Sequence, residues 1–380
     1  MIHYVTPARI GAKTTCLLRL DLDVHDGDLK DSVRIRDAAQ TISYLLRKKC
    51  RVVVLSHRGR PDAKKASRNA RHRKIFSIRP VARALSRVLR RSVLFEPSLD
   101  FALIQKRVDT MKGGQVLLLE NLRFFEGEEK NSVSFARQLA SLGDVYINDA
   151  FATSHRAHAS VDAITRFIPS FGGLVLKKEL SAFERLKKAK KPLVLIIGGI
   201  KVSDKVAMIQ RFLSHASCVL LGGGVSNTFF AAHRIPIGKS LYEKDALGLL
   251  DPYKASKKIL FPFDVVFDKT NAIVDIGEDT ITAYSECIKK AGTIVWNGPM
   301  GLIEKKPYDK GTLALAHAVA KSHAFSIVGG GETTSFFIAH KLDKKVSHLS
   351  SGGGAMLAYC AGEKLPALEA LKRSNVKLKK

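Results

Sequence analysis

The segment Pro192–Leu213, PLVLIIGGIKVSDKVAMIQRFL, constrains the fold more than any other stretch. Leu193–Ile197 is a short, unbroken, β-branched run, the pattern of a strand buried on both faces. Gly198 and Gly199 end it. Apolar residues then fall at Val202, Val206, Ile209 and Leu213, a helical spacing with one buried stripe. Lys201 and Lys205 stand four residues apart, which on that helix puts both on one face near the positive N-terminus. Two cations beside free backbone N–H groups suit an anion, phosphate above all. A pair of solvated lysines fits so short a pattern as well. The rest of the chain has to decide.

At 380 residues the chain is long enough for two or three domains, and 46% hydrophobic with 26% charged residues describes a folded protein. No apolar run opens the sequence as a signal peptide would, and none is long enough to span a membrane. Cys16, Cys50, Cys218, Cys287 and Cys360 are scattered, which predicts free thiols in a reducing cytoplasm and neither a zinc site nor a disulfide framework. Lys plus Arg number 63 against 35 Asp plus Glu, a net charge of +28. Such a field attracts nucleic acid, acidic membrane surfaces or phosphorylated small molecules alike.

In the first half, apolar runs repeatedly end on polar residues. Cys16–Val24 ends on Asp21 and Asp23, with Arg34 soon after. Val52–Leu55 leads into Ser56-His57-Arg58-Gly59-Arg60-Pro61, and Val116–Leu119 into Glu120-Asn121-Leu122-Arg123. Val145–Ile147 leads into Asn148-Asp149, then His155-Arg156 and His158. Helical patterns such as Ala38–Leu46 and Ala82–Leu89 lie between them, so the alternation predicts a parallel sheet with covering helices. Ligands of such sheets bind beyond the strands' carboxyl ends, which gathers Arg34, His57, Arg60, Arg123 and Arg156 as cations around one anion.

Leu174–Lys191, bounded by Pro169, Gly172, Gly173 and Pro192, reads as a charged amphipathic helix joining two domains. Beyond it the strand ends are glycine-rich: Gly222-Gly223-Gly224, Gly277, Asn297-Gly298-Pro299 with Glu304 beyond, Gly329-Gly330-Gly331-Glu332-Thr333 and Gly352-Gly353-Gly354. Such turns bring backbone N–H groups close to a ligand, which suits a nucleotide. There is no P-loop or G-x-G-x-x-G after a strand, and no Ser-His-Asp order stands out as a triad. His155 and His158 have no third ligand near them in sequence for a metal. One half that collects cations for a small acid and one that collects glycine turns for a nucleotide point to phosphoryl transfer.

From Leu17 to Leu368 the chain resembles the phosphoglycerate kinases. The matching motifs are RLDLDV with Arg34, SHRGRP, LLLENLRF, DVYINDAFATSHRAH, KKEL, GGIKVSDK, LLGGGVSNTF, VWNGPMG with Glu304, IVGGGETT, and SSGGGAM before EKLPALEAL. The resemblance implies an α/β, hinge-bending kinase of two Rossmann-like lobes, each a mostly parallel sheet covered by helices. It implies a phosphoglycerate-binding domain over 1–172 with a tail from about 366 to 380 packed back on it, an interdomain helix over 173–191, and a nucleotide-binding domain over 192–365. The implied reaction moves the acyl phosphate of 1,3-bisphosphoglycerate to Mg-ADP, giving 3-phosphoglycerate and ATP, in a cytoplasmic monomer.

By the same resemblance, Asp21, Leu22, Asp23, Arg34, His57, Arg58, Gly59, Arg60, Arg123 and Arg156 would bind phosphoglycerate. Arg34, Lys201, Gly331 and Gly353 would stabilise the transferring phosphoryl group. Lys205 would hold nucleotide phosphates and Glu304 the ribose, with Gly277, Asn297, Pro299, Gly330, Gly331, Glu332 and Thr333 around the nucleotide. Glu332 would also help hold Mg²⁺. The chain departs from the family at Asp23, usually Asn, and at Glu332, usually Asp. It departs again at Ile200 (GGIK for GGAK), Ala152 (AFAT for AFGT) and Met356 (SGGGAM for TGGGAS). The alternative is a degenerate kinase scaffold that binds nucleic acid through the cation-rich stretch Arg58–Arg91, although no series of stacking aromatics accompanies it.

Overall fold

The computed structural model describes residues 1–374 apart from Arg9, His25, Lys30 and Asp31. The chain divides into two units, one of Met1–Leu180 with the chain from Lys364 onward, the other of Ser181–Glu363. The first dividing point lies inside the helix Leu174–Leu186. That helix stops five residues before the expected Lys191, because four lysines and Pro192 follow within six positions and neither repeated like charge nor proline prolongs a helix.

The first unit is built on six strands: β1 Thr15–Leu20, β2 Arg51–Leu55, β3 Val93–Glu96, β4 Val116–Leu119, β5 Val145–Asp149 and β6 Ser170–Gly172. They pair in the order β3-β4-β2-β1-β5-β6, every pair parallel. β1, β4 and β5 are buried along their whole length, as central strands of a parallel sheet covered on both faces are. The helix Val33–Arg47 turns Ile35, Ala38, Ile42 and Leu45 to the core, and Arg79–Leu89 does the same with Val81, Ala82, Ala84 and Leu85. Both start earlier than the apolar pattern alone predicts. The C-terminal helix Pro366–Arg373 joins this unit, Ala367 N–H donating to the Ser154 carbonyl at 3.2 Å and Arg373 pairing with Asp162 at 3.2 Å. Residues 375–380 of the expected tail lie outside the described residues.

The second unit carries β7 Leu193–Ile197, β8 Cys218–Leu221, β9 Ile259–Leu260, β10 Val265–Phe267, β11 Ile273–Ile276, β12 Thr293–Asn297, β13 Phe325–Gly329 and β14 His348–Ser350. Six form a second parallel sheet, β14-β13-β12-β7-β8-β9. β10 and β11 form a separate antiparallel pair, so Gly277 ends a strand outside the main sheet. Among the described residues no helix is long and apolar enough to cross a membrane.

Asp149, at the carboxyl end of β5, anchors the start of the Leu174–Leu186 helix. Its Oδ1 accepts from Leu176 N–H at 2.8 Å, and the Thr41 hydroxyl donates to Oδ2. Burial pushes its carboxyl up to about 7 against these donors. The folded state therefore holds a proton that the unfolded chain has lost between the ordinary value of 3.8 and about 7, and stability falls as pH rises through that window. Asp149→Asn cannot ionise and should remove about 2–4 kcal/mol of that pH dependence. Denaturation midpoints from pH 4 to 8 for both proteins test this; parallel curves would mean that Asp149 titrates normally.

Candidate active site

In the first unit the chain after β1, β2 and β4 brings Asp21, Leu22, Asp23, Arg34, His57, Gly59 and Arg123 together. Leu22 N–H donates to Ser56 Oγ at 3.1 Å, and that hydroxyl donates to the Leu20 carbonyl at 2.8 Å, so the ends of β1 and β2 are tied. Arg34 pairs through Nε with Asp21 at 3.2 Å and donates through Nη1 to the Asp23 carbonyl. Asp23 Oδ1 accepts from Gly59 N–H at 2.7 Å. Gly59 has φ +63°, and a Cβ there would meet the Phe76 ring at 2.6 Å, so only glycine lets this amide reach the carboxylate. Arg123, 3% exposed, donates to the Gly59 carbonyl at 2.5 Å and pairs with Glu129 at 3.1 Å. Arg156 donates to His155 Nε2 at 3.2 Å. Arg60 is exposed.

Two expected cations behave differently. His57 is buried, and burial, then Arg19, Arg123 and Arg34, hold its pKa well below 6.5. It is therefore neutral at pH 7, not one of the gathered charges. Arg19 Nη2 lies 3.2 Å from His57 Nδ1, and a guanidinium only donates, so Nδ1 accepts and the ring proton sits on Nε2. That N–H lies 3.9 Å from Asp23 Oδ2. Arg58 is committed within its own loop, donating to the Val24 carbonyl at 3.0 Å and the Ser77 carbonyl at 2.9 Å and pairing with Asp26 at 2.7 Å.

Beneath the site lies a network that the sequence reading missed. Arg19, wholly buried in β1, donates through Nε to Ser160 Oγ at 2.8 Å and through Nη1 to the Leu20 carbonyl. Ser160 in turn donates to the wholly buried Glu128, from N–H at 3.0 Å and from its hydroxyl at 2.5 Å. Burial raises the Glu128 pKa, and the Arg19 charge and the Ser160 donors oppose it. His158 lies 4.0 Å from Glu128, and burial, then Arg123 and Arg19, lower its pKa to about 4. The one local signal was a cation inside the apolar run CLLRL.

In the second unit the ends of β7, β8, β12 and β13 interlock through main chain. Gly198 N–H donates to the Asn297 carbonyl at 2.9 Å and Gly199 N–H to the Pro299 carbonyl at 2.7 Å. Gly223 N–H donates to the Met300 carbonyl at 2.7 Å, and Gly298 N–H to Thr333 Oγ1 at 3.1 Å. A Cβ on Gly198 would run into the Pro299 carbonyl oxygen, so this approach requires glycine. Asn297 is buried, and its Nδ2 has no hydrogen-bond partner. Gly331 and Gly353 open helices Gly331–Ala339 and Gly353–Ala361, with open space where a Cβ would stand. Met356 is buried, its sulfur packed where a Cβ on Gly329 would have to go. Glu304 is exposed on the turn after Gly301, and that turn meets β11 through Leu302 N–H to the Val274 carbonyl at 2.8 Å.

The two lysines do not share a helix face. The helix after β7 is Val206–Leu213, and residues 201–205 form an irregular turn before it. Lys201 is exposed, whereas Lys205 is 7% exposed and donates through Nζ to the Lys201 carbonyl at 3.0 Å. Burial lowers the Lys205 pKa, and Asp204, Glu332 and Glu243 oppose the shift. Among the described residues no group of three or more His, Cys, Asp or Glu could hold a metal ion by itself.

The family model described as phosphoglycerate kinase matches residues 11–363. The chain is 41% identical to a phosphoglycerate kinase of Geotalea uraniireducens, over 99% of this chain and 100% of that protein. It is 39% identical to one of Pelotomaculum thermopropionicum, over 93% and 95%. Among solved structures, phosphoglycerate kinase from Coxiella burnetii matches with a TM-score of 0.81 at 34% identity, covering 99% of this chain and 100% of that one. The Pyrococcus horikoshii enzyme matches with a TM-score of 0.85 at 30% identity, covering 98% and 99%.

Proposed function

This chain belongs to the phosphoglycerate kinase family, and from that premise we propose which of its residues carry the reaction. The reaction is the family's: acyl phosphate of 1,3-bisphosphoglycerate and ADP on one side, 3-phosphoglycerate and ATP on the other. Nothing in these comparisons favours the scaffold as a nucleic-acid-binding protein.

In the proposed assignment, phosphoglycerate binds at Asp21, Asp23, Arg34, His57, Arg60, Arg123 and Arg156. The observation that carries it is the convergence of Arg34 and the neutral His57 on the two carboxylates after β1, with Arg123 held to the carbonyl of Gly59, whose N–H meets Asp23. His57 offers a neutral Nε2–H donor, and the arginines offer charge to the phosphate. Lys205 takes the nucleotide phosphates, and the Gly298, Gly330 and Gly331 turns border them. Arg34 and Lys201 stabilise the phosphoryl group in transfer. The leaving group is a carboxylate, so the chain has no base to supply, and positioning and charge do the work.

Mg²⁺ fits this assignment. It prefers one or two carboxylates plus substrate phosphates to an all-protein cage, and Glu332 is exposed at the N-terminus of helix Gly331–Ala339 and bears on Lys205. Bound there, the ion would neutralise phosphate charge. We read the enzyme as a cytoplasmic monomer, as the resemblance implies. A coupled assay of ATP formation from 1,3-bisphosphoglycerate and ADP tests the reaction.

Asp23 gives a sharper test of the substrate side. Its carboxylate already accepts from Gly59 N–H, yet it would face the substrate's own carboxylate. Like charges about 4 Å apart cost roughly 4 kcal/mol at an effective dielectric near 20, before the surrounding arginines screen them. With a residual penalty of about 1 kcal/mol, Asp23→Asn should lower KM for 3-phosphoglycerate about fivefold, most clearly above neutral pH. Equal or weaker binding across the pH range would show that the carboxylate is part of the recognition.

A further inference from the structure

Glu243 lies outside every residue assigned above, yet its carboxylate closes on the turn that carries both lysines. Oε2 accepts from Ser203 N–H at 2.9 Å and Oε1 from the Ser203 hydroxyl at 2.5 Å. Ser203 is exposed, so water could satisfy both of its donors. The two-point grip therefore does not serve to satisfy buried groups. It fixes where Ser203 sits.

Glu243 is itself held from the helix Gly223–Ala232. Its N–H donates to Thr228 Oγ1 at 3.1 Å, the Thr228 hydroxyl donates to the Gly224 carbonyl at 2.9 Å, and Asn227 Nδ2 donates to the Leu241 carbonyl at 3.1 Å. The chain of contacts thus runs from the glycine turn after β8 to the middle of the lysine turn after β7. On either side of Ser203, Val202 is wholly buried and Lys205 reaches back to the Lys201 carbonyl. Moving Ser203 would move both lysines.

The same carboxylate matters as a charge. Burial acts to raise the Glu243 pKa, but the Ser203 donors and Lys201 hold it low, so it is ionised at neutral pH. Glu243, Asp204 and Glu332 are the acids that bear on Lys205.

We propose that Glu243 is a positioning residue for phosphoryl transfer: by gripping Ser203 it sets the turn that presents Lys201 and Lys205. The inference rests on the roles given to those lysines above. Misplacing a transfer group by about an ångström can cost up to 10²-fold. Glu243→Ala should therefore lower kcat about tenfold while KM for 3-phosphoglycerate stays put, since that substrate's residues lie in the first unit. Glu243→Gln keeps the shape and an acceptor for Ser203 N–H but loses the charge. It should recover most of kcat, with the alkaline limb of the ADP-binding profile moved to lower pH.

The experiment measures kcat, both KM values and ADP binding from pH 7 to 10 for Glu243→Ala, Glu243→Gln and Ser203→Ala, with Lys201→Ala as marker. A wild-type kcat in Glu243→Ala overturns the proposal, whatever the alkaline limb in Glu243→Gln. Should Glu243→Ala not fold, Ser203→Ala replaces it, since truncating an exposed serine leaves the fold intact; a kcat reduced severalfold supports the proposal, and a wild-type kcat overturns it. Normal kcat in Lys201→Ala would instead sink the assignment of the lysines. Loss there beside normal Glu243 and Ser203 variants sinks the positioning role alone.

Discussion

Lys201→Ala will lower kcat by about 10² or more and leave both KM values within a few-fold. Lys201 is exposed, and no hydrogen bond from its side chain to protein is seen among the described residues. Its backbone is held separately, through the buried Val202 next to it and through its carbonyl, which accepts from Lys205. Truncation therefore removes one positive charge and little structure. A charge that acts on the phosphoryl oxygens chiefly as they separate from the leaving group stabilises the transition state more than either bound substrate. Arg34→Ala should lose kcat on the same scale. Arg34 also pairs with Asp21 and holds the Asp23 carbonyl, so KM for 3-phosphoglycerate should rise with it while KM for ADP does not. Steady-state kinetics in both substrates separates the two patterns. Near-normal kcat in either variant removes that residue from the transfer step.

The second large effect is on stability. Arg19→Met should cost about 3–5 kcal/mol, the usual penalty for removing one member of a buried charged network. Methionine fills much of the volume, but it strips the wholly buried Glu128 of the Arg19 charge, leaving it the Ser160 donors, and it takes the donor from His57 Nδ1. Denaturant unfolding of Arg19→Met, Glu128→Gln and the double variant tests this. The double variant should lose clearly less than the sum of the two, because neutralising Glu128 removes the charge that the first change stranded. Strict additivity would mean that Arg19 and Glu128 do not sense each other through Ser160. With Nδ1 of His57 released, the ring is free to change tautomer, and weaker phosphoglycerate binding is expected in Arg19→Met as well.

Local pattern carried much of the architecture. Unbroken apolar runs such as Leu193–Ile197 and Val116–Leu119 are legible as buried parallel strands because both faces of each must be apolar. Strand ends are legible too, since glycine or a polar cluster interrupts the apolar run there. The helix after β7 begins about one turn later than its apolar spacing predicts. Its apolar spacing continues back to Val202, but Ser203 is taken by Glu243 from forty residues away, and a turn held from outside need not follow the helical period. The pattern places Gly277 at one more strand end, whereas among the described residues β11 pairs with β10 apart from the main sheet, a partner choice that alternation cannot encode.

What the sequence by itself determined is which side chains stand at which strand ends: the acids after β1, His57 to Arg60 after β2, Arg123 after β4, Arg156 after β5 and the glycines of the second unit. These follow from neighbours along the chain, and the chain order is all they need. The tertiary structure alone decided what those side chains are chemically. His57 is neutral because burial and three arginines from distant segments disfavour its proton, and Arg58 is spent on its own loop. Lys205 is buried, with three acids opposing the fall of its pKa, while Lys201 stays in solvent, and Arg19 reaches Glu128 through Ser160. Desolvation and charge act through space, between residues that folding brings together from far apart in sequence, so no local pattern could have shown them.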